Sequence, residues 1–150
     1  MRAGRGRVTP WGLTLLLLAG TGCRTPGEAC LRVEADLSLN LYDGVAHPTD
    51  LYLYPLADTL AFSQLTADAL LAGERPASMT QPSPLRVTIL PGQSREIRQQ
   101  FPDATTSVGL VADFYRRESD DGGGRSAVVL ARCGRRSPPI ALLPSRLEVE

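Results

Sequence analysis

Short runs of alternating apolar and polar residues recur along this 150-residue chain and limit the folds that are open to it. In residues 30–37 (CLRVEADL), apolar Leu31, Val33 and Leu37 alternate with polar side chains, and a period of two indicates a strand with one buried face. Comparable runs, with turn residues between them, occupy residues 50–56, 85–90, 94–100, 105–115, 126–132 and 146–150. Roughly seven or eight short strands with such spacing predict a mainly β fold, a β-sandwich.

One segment between the second and third runs departs from this period. Asp58 or Thr59 can cap a turn over residues 60–65, and Thr66 can cap the run ADALLA, which Gly73 ends. The sequence therefore predicts a helical insertion in the sandwich, as two short helices or one broken helix.

The N-terminus has the composition of an export signal. Three arginines precede the apolar run Trp11–Leu18, which is shorter than the ~20 residues needed to cross a bilayer. Three small residues then lead directly into Cys23, which indicates lipoprotein processing, with the thiol acylated; the alternative is ordinary cleavage nearby, which leaves Cys23 as a thiol. We predict a signal peptide at 1–22, a tether at 23–29 and a β-sandwich domain at 30–150.

A lipid on Cys23 is then the membrane anchor, because several acyl chains at ~0.8 kcal/mol per buried CH₂ hold a protein stably. All sixteen basic residues are arginine, and three of them leave with residues 1–22 while all sixteen acidic residues stay, so the mature chain has a net charge near −3. Nucleic-acid binding calls for a basic surface, and we expect no nucleic-acid partner.

Cys30 and Cys133 remain once Cys23 is acylated. An even pair in an exported chain is a disulfide candidate, and two separate buried thiols are the alternative. The sequence shows no cluster of metal ligands, and its single histidine, His47, lies in a loop where we expect a solvated side chain. We therefore predict no catalytic residues, no metal and no cofactor other than the covalent lipid.

Residues 38–49 (SLNLYDGVAHPT) hold several turn signals and predict a long loop rather than a tight hairpin. Leu39, Leu41, Tyr42 and Val45 are apolar residues at positions where polar ones would serve a loop equally well. Two interpretations remain open: these side chains pack against the edge of the sandwich, or they contact another protein.

The order of these features resembles the type VI secretion lipoprotein family (TssJ, also called VasD or SciN). The features that carry the resemblance are the lipoprotein cysteine, the strand with LRVEA, the loop from Asn40 to Pro48, Tyr54 and Leu56, Phe62 and Leu65, the turn Pro91-Gly92-Gln93-Ser94-Arg95-Glu96, and the strand with Gly109 that ends at Phe114.

The resemblance implies an outer-membrane lipoprotein that faces the periplasm and has a transthyretin-like β-sandwich fold. Its implied role is to anchor the periplasmic domain of the inner-membrane protein TssM, in a complex that also holds TssL. In the family the loop between the first two strands makes the contact, which here implies Leu39, Asn40, Leu41, Tyr42, Asp43, Gly44, Val45, Ala46, His47, Pro48 and Thr49.

Within that loop we expect Tyr42 to be the main contact, because tyrosine supplies a large contact area with few rotors. We expect Asn40 and Asp43 to hold the loop through side chain–backbone hydrogen bonds, and Gly44 to permit a positive φ. A second hypothesis is a lipid-anchored module that binds a small ligand or carbohydrate. It would need an aromatic-lined site, and the only tryptophan, Trp11, lies in the signal.

Overall fold

The computed structural model describes residues 28–115, 125–130 and 139–149. This part of the chain forms eight strands and two short helices, in the order β1 (Glu28–Ala35), β2 (Thr49–Leu56), α1 (Leu60–Ser63), α2 (Ala67–Leu71), β3 (Leu85–Ile89), β4 (Ser94–Gln100), β5 (Ser107–Asp113), β6 (Ser126–Leu130), β7 (Ile140–Leu142) and β8 (Leu147–Val149). The predicted signal peptide, Cys23 and Cys133 lie outside the described residues.

The strands form two four-stranded sheets, with the orders β4-β1-β7-β8 and β3-β2-β5-β6. All described pairings are antiparallel except that of β1 with β7, which is parallel. The predicted mainly β sandwich with a helical insertion is confirmed. The sequence prediction omitted β7, because its three residues lie between prolines and are too few to show a period.

The core lies between the two sheets. In β1 the inward-facing Ala29, Leu31 and Val33 are fully buried, and the polar residues between them are partly or fully exposed, as the alternation predicted. Each fully buried Leu or Val side chain contributes about 1.5–3 kcal/mol to folding. Strand β5 differs, because every residue from Ser107 to Ala112 is buried. The outer face of its sheet is therefore covered as well.

The helical insertion provides that cover. Leu70 and Phe62 pack with Tyr54 and Val111 in a second apolar cluster, and the Tyr54 hydroxyl donates to the Leu70 carbonyl at 3.0 Å. Burial raises the pKa of Tyr54 above its usual value. Burial disfavours the charged phenolate, and the neutral hydroxyl is the form that donates this hydrogen bond.

The caps of the two helices agree in part with the prediction. The Thr66 hydroxyl accepts from the Ala69 N–H at 3.2 Å, and Gly73, at φ +103°, follows the end of α2. Thr59 occupies the N-cap of α1 without a capping hydrogen bond from its side chain. Asp58 instead accepts from the Leu60 N–H at 3.1 Å.

One buried charge ties the insertion to the sheet. Arg125 is 7% exposed, and its guanidinium contacts Asp68 of α2 at 2.7 Å and Asp113 of β5 at 3.4 Å. Its Nε also donates to the Ala112 carbonyl at 3.4 Å. A buried charge needs such partners, because leaving it unpaired is strongly destabilising.

The sandwich has two distinct ends, which the strand registers define. Glu28 pairs with Gln100, and Leu56 with Ser107, at the end where the predicted tether joins β1; we call this the tether end. The opposite end holds residues 36–48, 90–93, 114–115 and 143–146, and we call it the loop end. Strand β1 runs the length of the domain between them.

Candidate partner-binding loop

Residues 36–48 connect β1 in one sheet to β2 in the other and form the largest described connection at the loop end. The prediction that no hairpin joins these strands is confirmed, but the loop contains a tight turn of its own. Tyr42 and Val45 exchange both backbone hydrogen bonds, at 3.1 and 3.0 Å, around Asp43 (φ +52°) and Gly44 (φ +73°). Positive φ at both central residues is the mark of a type I′ turn, for which Asp-Gly is a preferred sequence.

Asn40 holds the base of this turn, as predicted, whereas the Asp43 side chain makes no hydrogen bond to the backbone of the described residues, so the same prediction for Asp43 is wrong. Asn40 is 8% exposed, and its Nδ2 donates to the Pro48 carbonyl at 3.1 Å while its Oδ1 accepts from the Tyr115 N–H at 2.6 Å. Its own φ is +50°, a conformation that asparagine adopts more readily than most residues. The His47 N–H donates to the Leu39 carbonyl at 3.0 Å and closes the loop from the other side.

Three aromatic rings stack along one side of the turn. The Tyr42 ring lies parallel to the His47 ring at 3.6 Å and against the Tyr115 ring at 4.4 Å. The expectation of a solvated His47 is therefore wrong: its side chain is half-buried in the stack. Sequence analysis missed Tyr115, because nothing local shows that the end of β5 reaches this loop.

The loop divides into residues that hold it and residues that it presents to solvent. Leu39 is fully buried, and Thr49 is the first residue of β2 and is also buried, so neither offers a surface to a partner. Leu41 and Val45 are 44% and 57% exposed on either side of the turn. Packing against the sandwich is thus confirmed for Leu39, while Leu41 and Val45 remain exposed and their contact with another protein stays a prediction.

The loop is also fixed to the turn between β3 and β4. The Asp36 carbonyl accepts from the Gly92 N–H at 3.0 Å, and the Ala35 N–H donates to the Gln93 carbonyl at 2.9 Å. The Asp36 carboxylate accepts two hydrogen bonds from Ser38, which lower the pKa of Asp36 below its usual value. The Leu37 side chain lies over Gly92: a Cβ added to Gly92 would be only 2.7 Å from Cδ2 of Leu37.

The other predicted site residues stand as follows. Cys30 is disulfide-bonded, but Cys133 lies outside the described residues, so the Cys30–Cys133 pairing remains a prediction. Within residues 28–115, 125–130 and 139–149, no three or more metal-ligating side chains form a group. None of the helices in the same ranges has the length and apolar character needed to span a bilayer.

A groove of about 730 Å³ lies between the edge strands β3 and β4. Apolar and charged side chains line it, and none of its lining residues is aromatic. Arg95 of β4 donates to the Thr88 carbonyl of β3 at 3.3 Å. This hydrogen bond satisfies a backbone carbonyl of an edge strand, whose unpaired groups could otherwise pair with another chain.

Several solved structures that are similar to this chain are described as parts of type VI secretion systems. The lipoprotein TssJ1 from Pseudomonas aeruginosa is 23% identical, with 84% of this chain and 96% of that chain covered at a TM-score of 0.66. Serratia marcescens Lip is described as a membrane-bound component of the type VI secretion system. It is 18% identical, with 83% of this chain and 98% of that chain covered at a TM-score of 0.62.

Two further structures contain similar chains. A chain of a structure described as a type VI membrane complex is 19% identical, with 84% of this chain and 99% of that chain covered at a TM-score of 0.69. Another structure is described as "T6SS protein TssM C-terminal domain (869-1107) from EAEC". One of its chains is 19% identical, with 82% of this chain and 97% of that chain covered at a TM-score of 0.67. At these identities the likeness shows the fold alone.

Sequence comparison gives the family. No curated protein matches the sequence. The sequence model of the type VI secretion lipoproteins (VasD, EvfM, TssJ) matches residues 28–131, which include the loop, the helical insertion and β1 to β6. The family is one of structural lipoproteins rather than of enzymes. On this match the chain belongs to the type VI secretion lipoprotein family.

Proposed function

We propose that this protein is the outer-membrane lipoprotein of a type VI secretion membrane complex. In this proposal the lipid on Cys23 holds it in the outer membrane, and the loop Leu39–Thr49 binds the periplasmic domain of a TssM-like inner-membrane protein. TssL joins the complex through that protein. Membership of the family supports the assignment to a type VI secretion membrane complex, since the family model covers most of the domain.

The two further structures with similar chains support the choice of partner. The range 869–1107 is longer than this whole chain, yet this chain covers 97% of the matched one. We infer that the matched chain is shorter than the TssM domain named in that description. A chain with this fold and a TssM domain would then be present in one structure, as expected of direct binding partners.

The single observation that carries the site is the position of the loop relative to the tether. Strand β1 begins at Glu28, next to the predicted lipid anchor, and ends at Ala35, where the loop starts. Its eight residues span about 25 Å at ~3.3 Å per residue. The loop therefore lies at the end of the domain that is farthest from the lipid, which suits contact with a protein that crosses the periplasm.

The internal bonds of the loop support the same role. A loop that is ordered before it binds loses less conformational entropy on association than a flexible one. Here Asn40 and the type I′ turn fix the backbone, while Leu41 and Val45 remain exposed. This arrangement resembles a preformed contact surface rather than a mobile connection.

The test is a pull-down from a detergent-solubilised cell envelope with the full lipidated chain as bait. We expect a large inner-membrane protein of the TssM type to be retained, and a variant with residues 41–45 replaced by Gly and Ser to lose it. Retention of the same partner by the loop variant would contradict the loop assignment. Absence of the partner with the wild-type chain would contradict the function as a whole.

In the part of the chain that the structure describes, no observation favours a small-ligand or carbohydrate module. Such a module would bind its ligand in a concave site with aromatic walls. The groove between β3 and β4 has no aromatic lining, and the aromatic rings of the loop stack on one another.

A further inference from the structure

Exposed large apolar side chains are concentrated at one end of the domain. The described residues include seven such side chains, and five of them lie at the loop end: Leu37, Leu41, Val45, Leu90 and Tyr115. The other two, Leu60 and Val128, lie on α1 and β6. Single exposed apolar residues are normal on a protein surface, but a cluster on one end indicates a contact surface.

These five side chains come from three separate connections, and the contacts between the connections are direct. Leu37 lies over Gly92 in the turn that follows Leu90, and Asp36 bonds to the same glycine. Tyr115 stacks on Tyr42 and donates its N–H to Asn40. The β1–β2 loop, the β3–β4 turn and the end of β5 thus form one continuous surface, which we call the apolar cap.

We propose that the whole apolar cap, and not the β1–β2 loop alone, binds the periplasmic domain of the TssM-like partner, with Leu37 and Leu90 as contacts outside the loop. The proposal rests on the proposed function for the identity of the partner. It assigns a role to residues that lie outside Leu39–Thr49.

Position favours this occupant over a lipid surface. Residues 23–27, the part of the predicted tether that precedes β1, join the domain at the opposite end and reach at most about 18 Å. The charges next to the cap in sequence are of both signs: Asp36 precedes Leu37 and Asp43 is the exposed tip of the type I′ turn, while Arg116 follows Tyr115. A partner with an apolar surface, and with a basic group opposite Asp43, fits best.

The test measures the affinity of the full chain, purified in detergent, for the purified periplasmic domain of the TssM-like protein from the same bacterium. The variants are Leu37→Asp and Leu90→Asp in the cap outside the loop, Leu41→Asp within the loop, and Leu60→Asp as the matched control. Leu60 is 66% exposed and lies on α1 near the tether end, so its substitution adds the same charge away from the cap. Thermal unfolding checks that all four variants are folded.

We expect the Leu37, Leu90 and Leu41 variants each to weaken binding at least tenfold, and the Leu60 variant to remain within twofold of wild type. Asp43→Asn, which keeps a residue suited to positive φ, should make the affinity less sensitive to salt. If Leu41→Asp weakens binding while Leu37→Asp and Leu90→Asp do not, contact is confined to the loop. The present inference is then wrong and the proposed function stands.

Two other outcomes also overturn the proposal. If wild-type protein does not bind the TssM-like domain at all, the proposed function fails together with this inference. If sedimentation shows a dimer of the wild-type chain that Leu90→Asp dissociates, with partner binding unchanged, a second copy covers the cap instead.

Discussion

The Asn40 side chain accepts a hydrogen bond from the backbone N–H of Tyr115 across 2.6 Å, between residues that are 75 positions apart in the chain. The same side chain donates to the Pro48 carbonyl. One amide therefore joins the start of the β1–β2 loop to its end and to the end of β5. The proposed contact surface depends on this residue for its shape.

Replacing Asn40 by alanine should destabilise the domain. The variant removes the partners of the partly buried Tyr115 N–H and Pro48 carbonyl, each worth about 1 kcal/mol, and it places alanine, which adopts positive φ less readily than asparagine, at φ +50°. Urea unfolding should show a loss of about 2 kcal/mol or more. Asp43→Asn, at the exposed tip, is the control and should change stability little. Equal midpoints for Asn40→Ala and wild type would show that the two bonds contribute nothing.

Tyr42→Ala should weaken partner binding by about 2 kcal/mol or more if Tyr42 is a hot spot. The stack with His47 and Tyr115 adds a second effect, because each aromatic pair contributes about 0.5–1.5 kcal/mol. Some loss of thermal stability is therefore expected as well. Calorimetric titration and thermal unfolding of the same samples separate the two effects. A variant that melts earlier but binds normally per folded molecule would remove Tyr42 from the contact surface.

Gly109→Ala should be destabilising by about 1–3 kcal/mol, as is typical of overpacked cores. A Cβ at this position would lie 2.5 Å from Cε2 of Phe62, which covers β5 from α1. The double variant Gly109→Ala with Phe62→Leu tests the cause, because the smaller side chain makes room for the methyl group. If Phe62→Leu restores none of the stability that Gly109→Ala removes, contact with the Phe62 ring is not the reason that position 109 requires glycine.

Stability should fall in acid partly through Asp50. The hydrogen bond from Arg86 holds the pKa of Asp50 below its usual value. A carboxylate with a depressed folded-state pKa stabilises the fold above its unfolded pKa of about 3.9, and this contribution is lost as pH falls through the folded value. Unfolding midpoints measured from pH 7 to pH 2 should drop less steeply for Arg86→Ala than for wild type. Arg32→Ala removes an exposed ion pair on β1 and is the control: its unfolding midpoint should depend on pH as that of wild type does.

Cys23→Ser should release the protein from the membrane fraction and abolish its labelling by a palmitate analogue. The predicted apolar run of the signal is too short to remain as a membrane span, so the acyl chains are the whole anchor. Cell fractionation with labelling is the measurement. A variant that still sediments with the outer membrane would show that something other than the lipid holds the domain there.

Local sequence determined the elements whose causes lie within a few residues. The alternation in residues 30–37 depends only on neighbours two apart, and it correctly predicted a strand with one buried face as far as Ala35. Its last apolar residue, Leu37, lies beyond β1 and is 83% exposed, so the prediction of a buried position was wrong there. Thr66 and Gly73 set the start and end of α2 through bonds that reach at most four residues. The type I′ turn at Asp43-Gly44 has the same local origin, since Asp-Gly is a preferred sequence for it.

Only the tertiary structure decided which distant residues meet. The parallel pairing of β7 with β1, the cover that Phe62 gives Gly109, and the stack of Tyr42 on Tyr115 each join parts of the chain that carry no mutual signal in one sequence. For the same reason the apolar cap could not be predicted as a unit. Leu37, Leu90 and Tyr115 share a surface because two sheets of fixed register bring three connections to one end, and register is a property of packing rather than of local composition.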